Sequence, residues 1–483
     1  MKRLLQILCL CSLLWMGASV SWAQDLQRFS ERHLSGTARY VGMAGAMTAI
    51  GGDPTAALDN PAGLGLYRQS ELSATIDETI DKTIYKSLRG DFASTTQMRF
   101  TAPNVAIVWS TGNGEKQRGL IHNNFMFAYN RMATFDRCVQ TGAAAAGGLL
   151  PTVCLKTQYL PEQQLAGLPW ENPDVGWLSI LGYETYLINP LADDQWEPVA
   201  SMTRHELQVV ESGAADQYNV SWAANISHQW YIGIGVNIPT WSYTKESVLE
   251  ESNDSYSSAK LQSLYHVTGV GVGASLGIIY RPIQYLRLGI SAQTPMKMIM
   301  TTQAEGEMST VVNGISYKLS TPHSGVMNNS MVSPWRVSAS VAGQLGSLGM
   351  LALQYDFAQA MMDKQLAVRP MNDVHTLRAG AEFQLFPSLY LNAGYAYESS
   401  FKDEDPVVEL SYDAVRTDLD YRFVQHAQWA SLGLGYRGAF LVANLAYQYR
   451  WETLHQYATE MQLEPLLVAG RTHRVVFTLG WRI

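Results

Sequence analysis

Charge is scarce in this chain. Of 483 residues only 16% are Asp, Glu, Lys or Arg, against roughly 25% in soluble proteins. A basic excess is missing as well. The formal net charge is −8, which argues against a nucleic-acid partner, since such a partner calls for a positive face. Cysteine is rare, with four residues in all. No Cys-x-x-Cys or His-x-x-x-His pattern occurs, and the Gly-x-Ser-x-Gly match from Gly273 to Gly277 lies inside an alternating segment rather than at a strand-to-helix turn, so metal-site, dithiol and hydrolase-elbow chemistry have no sequence support. No nucleophile and base stand together, and the expectation is no enzyme, no cofactor and no metal. Long apolar runs are absent beyond the first two dozen residues. A spanning helix needs about twenty such residues, so none is expected there.

What is present begins with a leader. Lys2 and Arg3 precede the apolar stretch "LLQILCLCSLLWMGASV", and Ser21-Trp22-Ala23 is a small-x-small cleavage site before Gln24. Residues 1–23 therefore read as a signal peptide, and the mature chain as exported. Cys9 and Cys11 leave with it. Cys138 and Cys154 remain, sixteen positions apart. In an exported protein that spacing suggests a loop disulfide, with two free thiols as the alternative.

From residue 69 onward one pattern repeats: about ten residues alternating apolar with polar or small. In "HRVVFTLGWRI", Val475, Phe477, Leu479, Trp481 and Ile483 share one face, while Val476, Thr478, Gly480 and Arg482 share the other. "LRAGAEFQL" and "FLVANLAYQYRW" behave alike: Leu377, Ala379, Ala381, Phe383 and Leu385 line up in the first, Leu441 to Trp451 in the second. A period of two is a strand. The polar faces carry Gly, Ser and mid-strand charges, and the apolar faces end in Tyr and Trp. Apolar outside, polar inside and aromatic at the rims is the pattern of a membrane barrel, the one sheet that leaves no unpaired edge in lipid.

Fourteen such segments are legible: 69–80, 103–111, 121–131, 216–226, 230–242, 264–281, 285–301, 334–343, 348–358, 375–386, 389–399, 427–437, 440–451 and 472–483. Their connections alternate between short and long, as in a barrel with turns on the periplasmic rim and loops on the extracellular rim. The fold expected is all-β: a 14-stranded antiparallel transmembrane β-barrel over 69–483 in the outer membrane of a Gram-negative bacterium. The longest connection, 132–215, is too long for plain coil. It holds both cysteines and "NPDVGWLSILGYETYLI", where Asn172 and Pro173 could open a helix. Trp177, Ile180 and Leu181 would lie on its apolar face, either packed on the barrel mouth or exposed as a landing site for a hydrophobic ligand.

Other signals have plain explanations. "GVGVGASLG" lies inside a strand, so Gly269, Gly271, Gly273 and Gly277 read as inward positions without bulk rather than a dinucleotide motif. The histidines are scattered singly, His122, His228, His266, His375 and His426 among them. The inward charges Arg287, Arg336, Asp356, Arg378, Glu382, Glu398, Arg437, Arg450 and Arg482 mix both signs and predict ion-pair networks in the lumen.

One stretch stands outside the repeat. "SGTARYVGMAGAMTAIGGDPTAALDNPAGLGLY" (35–67) resembles the N-terminal hatch of the FadL/TodX family of outer-membrane transporters for hydrophobic compounds, with Asp53, Thr55, Asn60, Pro61, Ala62, Gly63 and Leu64 matching in order. The resemblance is to a Bacteroidota-type member, some of which carry a hemin-receptor label. It implies a hatch over 24–68 plugging a fourteen-stranded barrel, with Asp53, Asn60, Pro61, Ala62 and Gly63 at the gate. It also implies passive uptake of lipophilic molecules such as long-chain fatty acids, caught at the extracellular loops and released sideways through a kinked third strand. That strand is "HNNFMFAYNRM" here, and Phe125, Phe127 and Tyr129 become candidate ligand-wall residues, beside Trp177, Ile180 and Leu181 in the loop. Partners expected are a hydrophobic small molecule and outer-membrane lipid and lipopolysaccharide, with the chain a monomer. Two alternatives stay open: a scaffold or shuttle of protein secretion, and a haem uptake receptor. A greasy, continuous lumen would favour transport; a lumen blocked by charge pairs would favour scaffolding.

Overall fold

The computed structural model describes residues 28–29, 31–86, 92–112, 118–144, 147–253, 257–322, 325–359, 373–400, 414–462 and 465–483. The leader expected over 1–23 lies outside them. Fourteen antiparallel strands follow one another round a closed barrel. They are β1 (Glu71–Lys86), β2 (Phe92–Gly112), β3 (Leu120–Thr134), β4 (Arg204–Ile226), β5 (Trp230–Ser252), β6 (Ser258–Ile283) and β7, in two pieces (Leu286–Gln293 and Lys297–Val312). There follow β8, also in two pieces (Gly325–Val332 and Arg336–Gln344), β9 (Gly349–Ala358), β10 (Val374–Phe386), β11 (Leu389–Glu398), β12 (Tyr421–Arg437), β13 (Leu441–Tyr457) and β14 (Leu466–Arg482). β14 closes on β1 from Glu71↔Arg482 to Tyr85↔Val468. Each of the fourteen segments expected from periodicity overlaps one strand, in order.

Around the barrel's middle the apolar set faces outward. Ile232, Ile234, Val236 and Ile238 of β5 are exposed, as are Val475, Phe477, Leu479 and Trp481 of β14. Aromatic side chains collect toward the two ends of this band. Trp230 stacks on Tyr280, with centroids 4.1 Å apart, at the short-turn end, and Tyr449 stacks on Trp451 toward the other. The short turns are tight: Ser227 and His228 both take left-handed backbone in the three-residue link between β4 and β5.

The connections on the other rim are shorter than expected, because the strands run on past the band. The 243–263 connection is mostly β5 and β6. Here the polarity of the alternation inverts. Trp241, Tyr243 and Leu249 point in and are buried, while Ser242, Glu246 and Glu250 point out. Outside lipid the strands face water on their outer side, so the apolar face turns inward, and a search for apolar-out segments stops too early.

A cap fills this mouth. It comprises helices α1 (Leu149–Thr157), α2 (Glu162–Leu165) and α3 (Trp177–Glu184) and a small hairpin of Ile188–Pro190 with Trp196–Pro198. Leu149, Val153, Trp177, Ile180, Leu181 and Trp196 pack with Leu207, Leu249, Leu261, Met308 and Leu454 of the strand extensions in one apolar core. Glu251 of β5 accepts from the Leu149 amide at 2.7 Å and so caps α1. The helix expected at Asn172 starts later, after Gly176. The Asn172 carboxamide instead accepts from Asp174 N at 3.0 Å, closing a local turn.

Candidate functional site

Residues 31–67 run inside the barrel, and nearly all are buried. Two short helices, Ala38–Gly42 and Pro54–Asp59, and a 3-10 turn, Pro61–Leu66, shape them. Asp53 organises the segment. Its Oδ1 accepts from Thr55 N at 2.9 Å and Ala56 N at 3.2 Å, an N-cap, while its Oδ2 accepts from Thr37 Oγ1 at 2.7 Å. Asn60 repeats the device one turn on: Oδ1 accepts from Ala62 N at 3.0 Å, and Nδ2 donates to Thr48 O at 2.8 Å. Pro61 can open its turn because a first-turn residue needs no amide donor. Gly51 takes φ 60°, and a Cβ there would sit 2.6 Å from Gly63 Cα. The small residues thus let the segment fold on itself.

The barrel wall is cut away to receive it. A Cβ at Gly277 would meet Asn60 Oδ1 at 1.8 Å, one at Gly233 the Pro61 carbonyl carbon at 2.3 Å, and one at Gly394 the Met43 carbonyl carbon at 2.4 Å. Polar wall groups then fasten it. Ala38 N donates to Thr478 Oγ1 at 2.8 Å, Arg474 Nη1 to Leu34 O at 2.9 Å and Arg287 Nη1 to Ile50 O at 3.0 Å. Arg39 pairs with Glu382 at 2.7 Å, and Arg437 reaches the same carboxylate at 2.5 Å. The expected lumen networks are present: Arg378–Asp356 at 2.8 Å, Arg450–Glu452 at 2.6 Å and Arg482–Glu71 at 3.1 Å. Cavities beside the segment are small and lined by such charges, with volumes of 70, 80 and 280 Å³.

The wall is interrupted between β2 and β3. β3 pairs with β2 only from Gly112↔His122 to Asn104↔Asn130. Beyond Asn130 the third strand keeps its partner β4 through a bulge at Arg131/Ala133. It then bends at Phe135 and Asp136 and continues as Arg137–Ala144, still paired with β4. Among the described residues, the 92–103 part of β2 has no ladder partner on that side. Side chains bridge the gap instead. Arg99 Nη1 donates to Asp136 Oδ2 at 2.9 Å, and its other nitrogen pairs with Asp81. Thr95 Oγ1 donates to Cys138 O at 2.6 Å and Tyr85 Oη to the same carbonyl at 2.8 Å. His33 N of the inner segment donates to Met132 O at 2.8 Å, beside the break. Met98 and Phe100 are 66% and 72% exposed on the outer side, so the break opens toward the apolar band.

The expected site residues divide. Asp53, Asn60, Pro61, Ala62 and Gly63 come together in the inner segment. Phe125 and Phe127 do not line the lumen. They are 49% and 48% exposed on the outer face, and Tyr129 lies on that face too, bonded to Asp216 at 2.8 Å. Strand parity decides this: the inward set of β3 is His122, Asn124, Met126, Ala128 and Asn130. Trp177, Ile180 and Leu181 are buried in the cap core, which removes them as an exposed landing site. Cys138 and Cys154 are free thiols, not a disulfide. The strand holds Cys138 opposite Val210, while α1 turns Cys154 into the cap core. His266 bonds Thr244 at 2.8 Å and His375 bonds Tyr355 at 2.7 Å. No group of three metal-ligating side chains occurs among the described residues. The Arg99 bridge and the buried Lys245–Asp418 pair at 2.8 Å were not legible, since nothing local ties residues so far apart in sequence.

No protein-family model matches the sequence, and no curated protein matches it either. Solved structures do. A FadL homologue of Pseudomonas aeruginosa superposes with a TM-score of 0.54 at 11% identity, covering 94% of this chain and 99% of that one. The toluene transporter TodX of P. putida gives 0.52 at 13%, covering 93% and 99%. The toluene transporter TbuX of Ralstonia pickettii gives 0.51 at 13%, with the same coverage. At such identities the likeness is one of fold, and it extends over nearly the whole length of both chains: this protein has the fold of the FadL/TodX outer-membrane transporters.

Proposed function

We propose that the protein is an outer-membrane channel for passive uptake of hydrophobic molecules, with residues 31–67 as its hatch and the break between β2 and β3 as its sideways exit. The break is the observation that carries this reading. A lipophilic molecule gains about 25 cal/mol for each Å² of apolar surface kept from water. A wall that opens into the apolar band lets it pass from lumen to lipid without crossing water. The hatch is held by discrete hydrogen bonds and ion pairs rather than by a continuous sheet, so it can exchange between two packings, and a ligand needs only differential affinity for them to move it. The long-loop rim faces the outside of the cell in this reading. That structures of the same fold are toluene transporters supports hydrophobic cargo in general; aromatic hydrocarbons and fatty acids are the classes to test.

A second reading has an observation of its own. The cavities beside the hatch are small and ion-paired, and the mouth is filled by a packed cap. A barrel filled in this way suits a scaffold of protein secretion that presents its loops to a partner. Uptake by the full chain in proteoliposomes separates the two. Saturable entry of labelled toluene or of a fluorescent long-chain fatty acid, together with hydrophobic molecules in the mass spectrum of the purified barrel, is the expected result. Entry no faster than into protein-free vesicles for both probes would overturn the channel and leave the scaffold.

A further inference from the structure

A further cavity lies away from residues 31–67. It has a volume of 770 Å³ and lies at the long-loop end, among the strand extensions on either side of β4, β5 and β6. That volume is within the range of small-molecule sites. Three observations define what would fill it. His205 lines it at 4% exposure, and neither ring nitrogen has a partner. Buried polar groups are nearly always satisfied, so this imidazole, a donor and an acceptor when neutral, lacks what a ligand could supply. The charged side chains of the lining are already engaged. Lys260 pairs with Glu250 at 2.5 Å, Lys318 with Glu307 at 2.8 Å, and Gln140 donates to Glu206 at 2.9 Å. Glu251 is taken by the α1 amides, and Arg204 also has a partner. An ionic ligand would have to break these pairs. The remaining lining alternates hydroxyls (Ser252, Ser258, Ser309, Ser316) with carbon surface at Val311 and Tyr317. A mixture of hydroxyl edges and C–H faces is the surface of a sugar, not of a hydrocarbon.

We propose that this cavity binds a neutral, polyhydroxylated ligand, a short oligosaccharide, with His205 as the group that reads its hydroxyls. The site is separate from the hatch and the sideways exit, and it would serve a channel or a scaffold equally. Its sugar could be free or the glycan of a neighbouring lipopolysaccharide.

The test uses the full chain in detergent micelles, titrated calorimetrically with a panel of neutral di- to tetrasaccharides built on glucose, galactose, mannose and N-acetylglucosamine. A second arm uses the delipidated polysaccharide of lipopolysaccharide. Saturable binding in either arm is expected, and the arm that binds identifies the source. His205→Ala should weaken it by roughly tenfold, and His205→Gln, which restores a donor and an acceptor, should stay within about threefold of the parent. If His205→Ala fails to give the heat-modifiable band of a folded barrel, Ser316→Trp fills the cavity from an exposed position and should abolish binding. No binding in either arm, binding unchanged in His205→Ala or Ser316→Trp, or displacement of the sugar by toluene or a fatty acid would each overturn the proposal.

Discussion

Replacing Arg99 by Gln should loosen the break in the wall without opening a pore. Above Asn104 the β2–β3 ladder is replaced by a few side chains, and Arg99 is the charged one. It contacts Asp136 Oδ2 at 2.9 Å and also Asp81, with side-chain exposures of 15% for Arg99, 30% for Asp136 and 22% for Asp81. A hydrogen bond to a charged group contributes roughly 1.5–3 kcal/mol when buried, and partial exposure reduces this. About 2 kcal/mol for the pair is a reasonable net loss. The bonds from Thr95 and Tyr85 to Cys138 O remain, so the strand should not detach altogether. At 1.36 kcal/mol per factor of ten, the open population rises about 30-fold. If sideways release limits uptake, toluene entry into proteoliposomes should rise by up to that factor. Ion conductance in planar bilayers should not change, because the proposed route leads into lipid. Arg131→Gln is the matched control. Arg131 pairs with Asp216 at 2.9 Å with similar exposure, but across a β3–β4 ladder that stays paired on both sides of its bulge. An equal effect from Arg131→Gln, no effect from Arg99→Gln, or a porin-like conductance in Arg99→Gln would refute the reasoning.

Deleting residues 35–66 should convert the barrel into a nonspecific pore, and conductance that stays at the intact level would rule out a plug. Asp53→Ala removes an N-cap and the Thr37 bond together, at a local cost of about 1–3 kcal/mol, and should raise the frequency of brief openings in the same recordings. Cys138 and Cys154 should both alkylate in denaturant without reductant, whereas a linked pair would stay unlabelled. In the folded protein Cys154 should resist, since burial, reinforced by Glu197, pushes its thiol up to about 11 and thiolate is the reacting form. Rapid labelling of native Cys154 at neutral pH would contradict its place in the cap core.

Periodicity was enough to identify the barrel because a strand's alternation is a local property. Val475 to Ile483 and Leu377 to Leu385 each declare an outward face without reference to any partner, and lipid allows only a closed sheet to use such faces. The fourteen strands and their order followed. The same rule hid the strand extensions. Past Ile238 the outer solvent is water, the alternation changes sign at Trp241 and Tyr243, and segments sought by one sign of polarity end there. The inner segment was legible from Asp53 and the Asn60–Pro61 step, whose capping roles lie within a few residues.

Tertiary structure alone decided the rest. The ligand-wall role of Phe125 and Phe127 came from the resemblance rather than from the alternation, which sets them opposite Asn124 and Asn130, and the placed neighbours hold them on the outer face. Trp177, Ile180 and Leu181 became core rather than landing site because Leu249, Leu261 and Leu454, distant in sequence, close over them. Cys138 and Cys154 stay apart because a strand register fixes one and a helix face the other. The glycines at 233, 277 and 394 acquire their reason only from the atoms of the inner segment opposite them. Alternation and capping are short-range and can be read along the chain. Which side chain bridges a missing ladder, and which buried histidine faces a cavity, depend on contacts between residues that only closure of the barrel brings together.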